Sequence, residues 1–365
     1  MRATGSSPWA FVLVSGLLLA GDLDAGSLEP PGPPAPTVKN LAEVEARTPI
    51  SSLPFTISAS GSYYLTGNLT GASGQVGITI TASFVTLDLN GFSLIGVPGS
   101  IQAIATPGPT EHVAIRNGVI RNWGARGIEA SPSSEVQIES LRIDGNGSDG
   151  VAVGPRSTVL DTTSTSNGGI GISVGSGSTV TGCKAGLNSG GGISLASNGV
   201  VSNSTALANT GPGFAVSFGS LVTDCTAQQN GTGFQLTNTG NRIYHSVARV
   251  NAVGISGNAF DTVEGCTAET NTDDGIRVGQ RSLVRGNLIR SNTNDGIEVS
   301  GNESRIEDNL ITVNGTGVRL IGTNNLVVKN NVSSNTTEFA VAAGNRIGTL
   351  TLDPTTANPW ANFDL

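Results

Sequence analysis

Two near-copies in the sequence carry the most obvious chemistry. Residues 271–276 read NTDDGI and residues 292–297 read NTNDGI, 21 positions later. They set Asp273, Asp274 and Asp295 beside glycine. Carboxylates about 5 Å apart can divide the acid and nucleophile roles of glycoside hydrolysis. They are also the hard oxygens a calcium ion takes, which makes calcium the one cofactor this sequence suggests. A plainer reading stands beside these two. Asp-Gly and Asn-Gly are ordinary turn dipeptides, and the same slot elsewhere holds Gly169-Ile170, Thr210-Gly211-Pro212 and Ala252-Val253.

A second set is spread further along the chain. Asp224, Tyr244, His245, Glu264 and Arg285 recur at steps of 20 or 21 residues. Placed side by side they hold the groups that β-elimination of a uronic acid requires. His245 or Tyr244 would abstract the proton beside the carboxyl, and Arg285 would stabilise the anion that results. The plainer reading is a solvated face on which Glu264, Arg285 and Glu307 pair in alternation. His112 and Trp123 lie in less regular sequence and read as structural.

What would position these groups is a repeat. Glycine followed by an apolar residue occurs at Gly127, Gly150, Gly171, Gly192, Gly213, Gly233, Gly254, Gly275, Gly296 and Gly317, in steps of 20 to 23 residues. Each unit opens on a short alternating run such as GISV, GFQL or GIEV, which sends every second side chain inward. A second apolar position follows, as at Val180, Val201, Val222 and Ile243, and then a polar turn. A unit this short cannot bury its own apolar residues and must stack on its neighbours. The predicted fold is therefore all-β, a single right-handed parallel β-helix of roughly twelve coils with about 4.8 Å between coils.

Two columns support the register. Ten asparagines, from Asn146 and Asn167 to Asn314 and Asn335, share one position and predict an amide ladder. Thr162, Cys183, Ser204, Cys225, Ser246, Cys266, Asn287, Asn309 and Asn330 share another. The cysteines sit in alternate coils, about 9–10 Å apart, beyond disulfide reach. The sequence thus predicts three buried free thiols. A row of Arg277, Glu298 and Arg319 alternates in sign and reads as a charge ladder.

The stretches SGSYYLTGNLTG, GITITASFVTLDLNGFSLIG and VAIRNGVIRNWGARGI resemble the opening coils of secreted bacterial right-handed parallel β-helix proteins of the pectin-lyase-like superfamily. The later coils are similar to repeats found in pectate lyases, polygalacturonases, alginate epimerases and periplasmic copper-insertion proteins. The resemblance spans about residues 50–340 and implies the fold. Polygalacturonases carry an Asn-Thr-Asp segment in this setting, followed on later coils by Asp-Asp, Gly-His-Gly and Arg-Ile-Lys. Here no histidine follows His245, so that acid–base set is incomplete.

Residues 1–25 read as an export signal, with Arg2 before a twelve-residue apolar run too short to span about 30 Å of hydrocarbon. Residues 26–50 read as a proline-rich linker, 51–76 as an N-terminal cap, 77–340 as the β-helix and 341–365 as a C-terminal cap. A net charge of −8 argues against a nucleic-acid partner. The expectation is an exported chain, secreted, periplasmic or on the cell surface, with no membrane span once the signal is cleaved. Two functions remain open. One is a non-catalytic scaffold that presents a polar surface to a polysaccharide or cell-envelope glycan, favoured by 4 % aromatic content. The other is a polysaccharide lyase, epimerase or hydrolase built on the His245 group.

Overall fold

The computed structural model describes residues 46–364. The expected signal and all but the last residues of the expected linker lie outside them. The described chain is wound into coils of three short strands joined by tight corners. One coil consists of Ile172–Val174, Thr179–Thr181 and Lys184–Gly186. Each strand pairs in parallel and in register with its equivalent one coil on, as Ile172 with Ile193, Val180 with Val201 and Ala185 with Ala206. The first strands of successive coils form one sheet of fourteen rungs, from Phe55–Ile57 to Thr337–Val341. The second and third strands form the other two faces, and the roughly twelve coils expected are close to the count observed.

Alternation produces the core. In the first face Ile172 and Val174 point inward and are buried while Ser173 between them is not. Val180, Val201, Val222, Ile243, Val263 and Val284 form an unbroken buried column in the second face. Stacking places like on like: the Phe214 and Phe234 rings lie nearly parallel, 5.0 Å apart. The recurrent glycine has a steric cause. A Cβ on Gly254 would stand 2.4 Å from the carbonyl oxygen of Gly275 and 2.7 Å from Nδ2 of Asn271. No side chain fits between the ladder amide and the next coil.

Three buried polar ladders run beneath the corners. In the predicted one, the backbone N–H of Asn188 donates to Oδ1 of Asn209 at 3.1 Å and its Nδ2 donates to the same oxygen at 2.9 Å; the pattern repeats from Asn146 to Asn335. The cysteine column is the second, where Cys225 N–H donates to Ser246 Oγ and Cys266 N–H to Asn287 Oδ1. A third runs through Ser157, Ser178, Ser220, Asn241, Asp261, Ser282, Ser304 and Asn325. Its mixture of Ser, Asn and Asp, interrupted at Gly199, conceals it in the sequence, where no one residue type fills the column. Each ladder satisfies corner N–H groups that would otherwise be buried without acceptors.

The corners need the left-handed backbone. Asp224, His245, Gly265, Gly286, Asp308 and Lys329 all have φ between 47° and 65°. So do Val250 and Val313, at 56° and 59°, where a β-branched side chain makes the conformation costly. The three cysteines are free and buried, and burial pushes their thiols up, to about 11 for Cys183 and about 12 for Cys225 and Cys266.

Strand pairing reaches both ends of the described chain. Thr48–Ile50, inside the expected linker, already pairs with residues 63–65. Pro49 is tolerated there because the strand lies at an edge. Phe55–Ile57, inside the expected cap, is the first rung of the fourteen. At the far end Asn362 closes the second ladder, its Oδ1 accepting from the N–H and Nδ2 of Asn330.

Candidate functional site

The first acidic group lies where the chain enters the first face, at the strands Ile276–Val278 and Asp295–Val299. The structure brings Asp274 and Asp295 together, both fully buried, but the third carboxylate is Glu298 rather than Asp273. Ligand oxygens of Asp274, Asp295 and Glu298 fall within 4.8 Å of one another. Asp273 turns outward, is 43 % exposed, and meets Arg277 at 3.2 Å. The i, i+3 spacing of Asp295 and Glu298 is the sequence signal for the third member. Glu298 also pairs in register with Arg277 and Arg319, so in sequence it reads as a rung of their charge ladder.

Two arginines clamp this group. Arg277 places Nε 2.9 Å from Asp274 Oδ2 and 3.2 Å from Glu298 Oε1. Arg319 reaches past Glu298 to Asp295 Oδ2 at 2.5 Å. Asp274 Oδ1 accepts the backbone N–H of Asp295 at 3.1 Å and Nδ2 of Asn294 at 3.0 Å. Asp295 Oδ1 is buried with no hydrogen-bond partner among the described residues. Desolvation raises the Asp274 carboxyl above its ordinary range, against the opposing pull of the Asp295 N–H and Arg277. Desolvation raises Glu298 as well, reinforced by Asp274. Calcium takes six to eight oxygens. Three carboxylates converge here, and all three already face a guanidinium, so the donor set is short of a calcium cage.

The second group lies on the second face and its following corner. Tyr244, Glu264 and Arg285 end successive strands and stand in register. Arg285 donates to Glu264 Oε1 at 2.6 Å, and that bond raises the guanidinium's affinity for its proton. Asp224 and His245 are left-handed corner residues one coil apart. Their side chains are not joined: the Asp224 carboxylate accepts the Thr223 hydroxyl at 2.7 Å. The imidazole instead lies over Gly265, where an added Cβ would come within 2.7 Å of its Cδ2. Tyr244 and His245 keep ring centroids 6.3 Å apart.

Further along this face the row changes character. Glu307, expected toward solvent, is 8 % exposed, and Val328 one coil on is 2 % exposed. Glu307 turns back to Arg305 of its own strand at 2.5 Å rather than to Arg285. The returning C-terminal segment pairs beside this region, Lys329 N–H donating to the carbonyl of Ala361. Trp360 on that segment lines a pocket of about 360 Å³ with Arg305, Leu326, Val328 and Arg346. No sequence signal marks this pocket, because the indole arrives from outside the repeat.

The model of the right handed beta helix region family matches residues 108–248 and 239–337. The chain belongs to that family. No curated protein matches it. Among solved structures it is similar to the A-module of the Azotobacter vinelandii mannuronan C-5 epimerase AlgE4, with TM-score 0.55 and 14 % identity over 80 % of this chain and 91 % of that one. The A-module of the Azotobacter vinelandii mannuronan C-5 epimerase AlgE6 gives TM-score 0.55 and 16 % identity over 84 % and 90 %. At such identities the shared property is the right handed beta helix itself. Among the described residues no helix is long and apolar enough to cross a membrane.

Proposed function

We propose that this right handed beta helix is an exported, non-catalytic scaffold that holds an acidic polysaccharide along its second face. The observation that carries the non-catalytic part is the Glu264–Arg285 pair. Arg285, the cation placed to stabilise a carbanion beside His245, is already bound to a carboxylate at 2.6 Å. A base without its oriented partner, Asp224 being turned to Thr223, lacks the arrangement that general-base catalysis uses. The polysaccharide part is supported by the two similar A-modules, whose names place them on mannuronan. Export is supported by the signal-like residues 1–25. The buried acidic group then serves as internal bracing of the first face.

A second reading keeps one observation in its favour: His245 is exposed and Tyr244 stands beside it on the same solvent-facing row. A lyase or epimerase using His245 as base would fit that juxtaposition. One experiment decides between the readings. The protein is incubated with immobilised and soluble acidic polysaccharides, and both retention and product formation are followed. Retention without unsaturated ends or new reducing ends is the expected result. Product formation abolished by His245→Ala would establish the enzyme instead.

A further inference from the structure

We infer that the pocket under Trp360 is a binding subsite for one carboxylated sugar, an inference that rests on the polysaccharide reading above. Three observations converge on it. The indole is 54 % exposed, whereas the other described tryptophan, Trp123, is 1 % exposed and donates its Nε1 to the carbonyl of Leu94. An exposed indole forgoes much of the burial that makes tryptophan favourable in a folded chain, and it is the flat apolar surface on which a pyranose ring stacks.

The indole is also held in place. Two residues on, Asn362 is fully buried and locked into the ladder by Asn330, and its Nδ2 donates to the carbonyls of Val327 and Gly348. A Cβ on Gly348 would collide with the Trp360 carbonyl oxygen at 1.9 Å, so the segment lies hard against the neighbouring strand only because that residue is glycine. The Trp360 backbone N–H is taken by Asn358 Oδ1 at 2.8 Å. The platform is thus pre-organised rather than a loose tail, which lowers the entropic cost of binding.

The third observation is charge. The chain carries a net −8, and its arginines are mostly spoken for by carboxylates. Here the balance reverses. Lys329 Nζ lies 5.1 Å from the centroid of the Trp360 ring, and Arg346 lines the pocket wall. Neither forms an ion pair among the described residues, although Asp308 occupies the corner one coil before Lys329. Arg305, the third cation, is neutralised by Glu307. A planar guanidinium beside an indole is the pairing that takes a sugar carboxylate in a bidentate grip while the ring's C–H face stacks. A neutral sugar would use the indole alone.

The test uses the full chain, a hexameric oligouronate and a neutral glucan hexamer, and follows tryptophan emission with iodide as quencher. The expected result is that oligouronate shields the exposed tryptophan and the glucan does so at least tenfold less well. Trp360→Phe should remove the ligand-sensitive emission. Arg346→Ala, an exposed position, should weaken oligouronate binding tenfold or more with an unchanged circular dichroism spectrum. Oligouronate binding that survives both Arg346→Ala and Trp360→Ala at wild-type strength would overturn the subsite and leave the polysaccharide reading standing. Equal binding of the glucan would overturn the choice of a carboxylated sugar. Failure of the wild-type protein to bind any polysaccharide would overturn both.

Discussion

The acidic group on the first face and the cationic pocket at the end of the second face are opposites in every physical respect. In the first, Asp274 and Asp295 are buried, and two arginines spend their hydrogen-bonding capacity on them. In the second, Arg346 and Lys329 stand without carboxylate partners among the described residues and flank an exposed indole. Charge count alone would name the acidic group as the functional site. Burial reverses that ranking, because a charge consumed inside the fold has nothing left to offer a ligand. In a solenoid, the first question about a charged residue is which neighbour on the next coil has already claimed it.

That contrast can be broken in several ways. The largest effect should come from Arg319→Ala, which strands the Asp295 carboxylate with neither oxygen partnered. Loss of a partner to a buried charge costs about 3–5 kcal/mol; the lower end is expected because the Arg319 side chain is 38 % exposed and water can replace it. Urea denaturation measures it, and a loss indistinguishable from zero would show that the clamp carries no structural weight. A calcium titration sharpens the same point. Thermal midpoints unchanged by millimolar calcium are expected, whereas a midpoint that climbs with concentration would mean an ion competes with the arginines.

Next in size is the interruption of a ladder. Asn230→Ala removes the acceptor of the Asn209 N–H at 3.0 Å and of its Nδ2 at 2.9 Å, leaving buried donors unpaired. The expected cost is about 1–3 kcal/mol, again by urea denaturation.

A pH dependence follows from the buried Asp261 of the third ladder. Desolvation raises its carboxyl above the ordinary value of 3.8, in spite of the N–H groups of Asn258 and Asn241 that favour the charged form. A carboxyl raised on folding binds more protons in the native than in the unfolded state. Its contribution is therefore most favourable at low pH and is lost as pH rises from the unfolded value through the folded one. The stability of Asp261→Asn relative to the parent should increase over that window and then level off. A difference that is flat with pH would contradict the assignment. The smallest effect should be that of Arg285→Ala on thermal stability, since this guanidinium and its partner stand at the surface; a marked loss would mean the pair braces the coil.

Much of the architecture is legible in the residues alone. The glycine period, the alternating runs and the Asn146–Asn335 column are local and repetitive, so one unit's pattern is checked by the next. The cysteine register follows from the same arithmetic, and the thiols are free and buried as it requires. The site is harder to read. Asp224 and His245 do fall in one column, but column membership does not say where a side chain turns. Thr223 captures one and Gly265 makes room for the other. Glu298 is visible as a member of its row, yet its place at the Asp274–Asp295 corner is not, because a strand register orders backbones and leaves the reach of an arginine open.

The sequence by itself determined the parallel coils, the inward columns and the turn asparagines, since a 21-residue unit with no helical period has one way to bury its apolar residues. The tertiary structure alone decided which charges remain available. That depends on side-chain direction across coils and on a C-terminal segment that returns outside the repeat to set Trp360 beside Lys329 and into one pocket with Arg346, an arrangement no periodicity encodes.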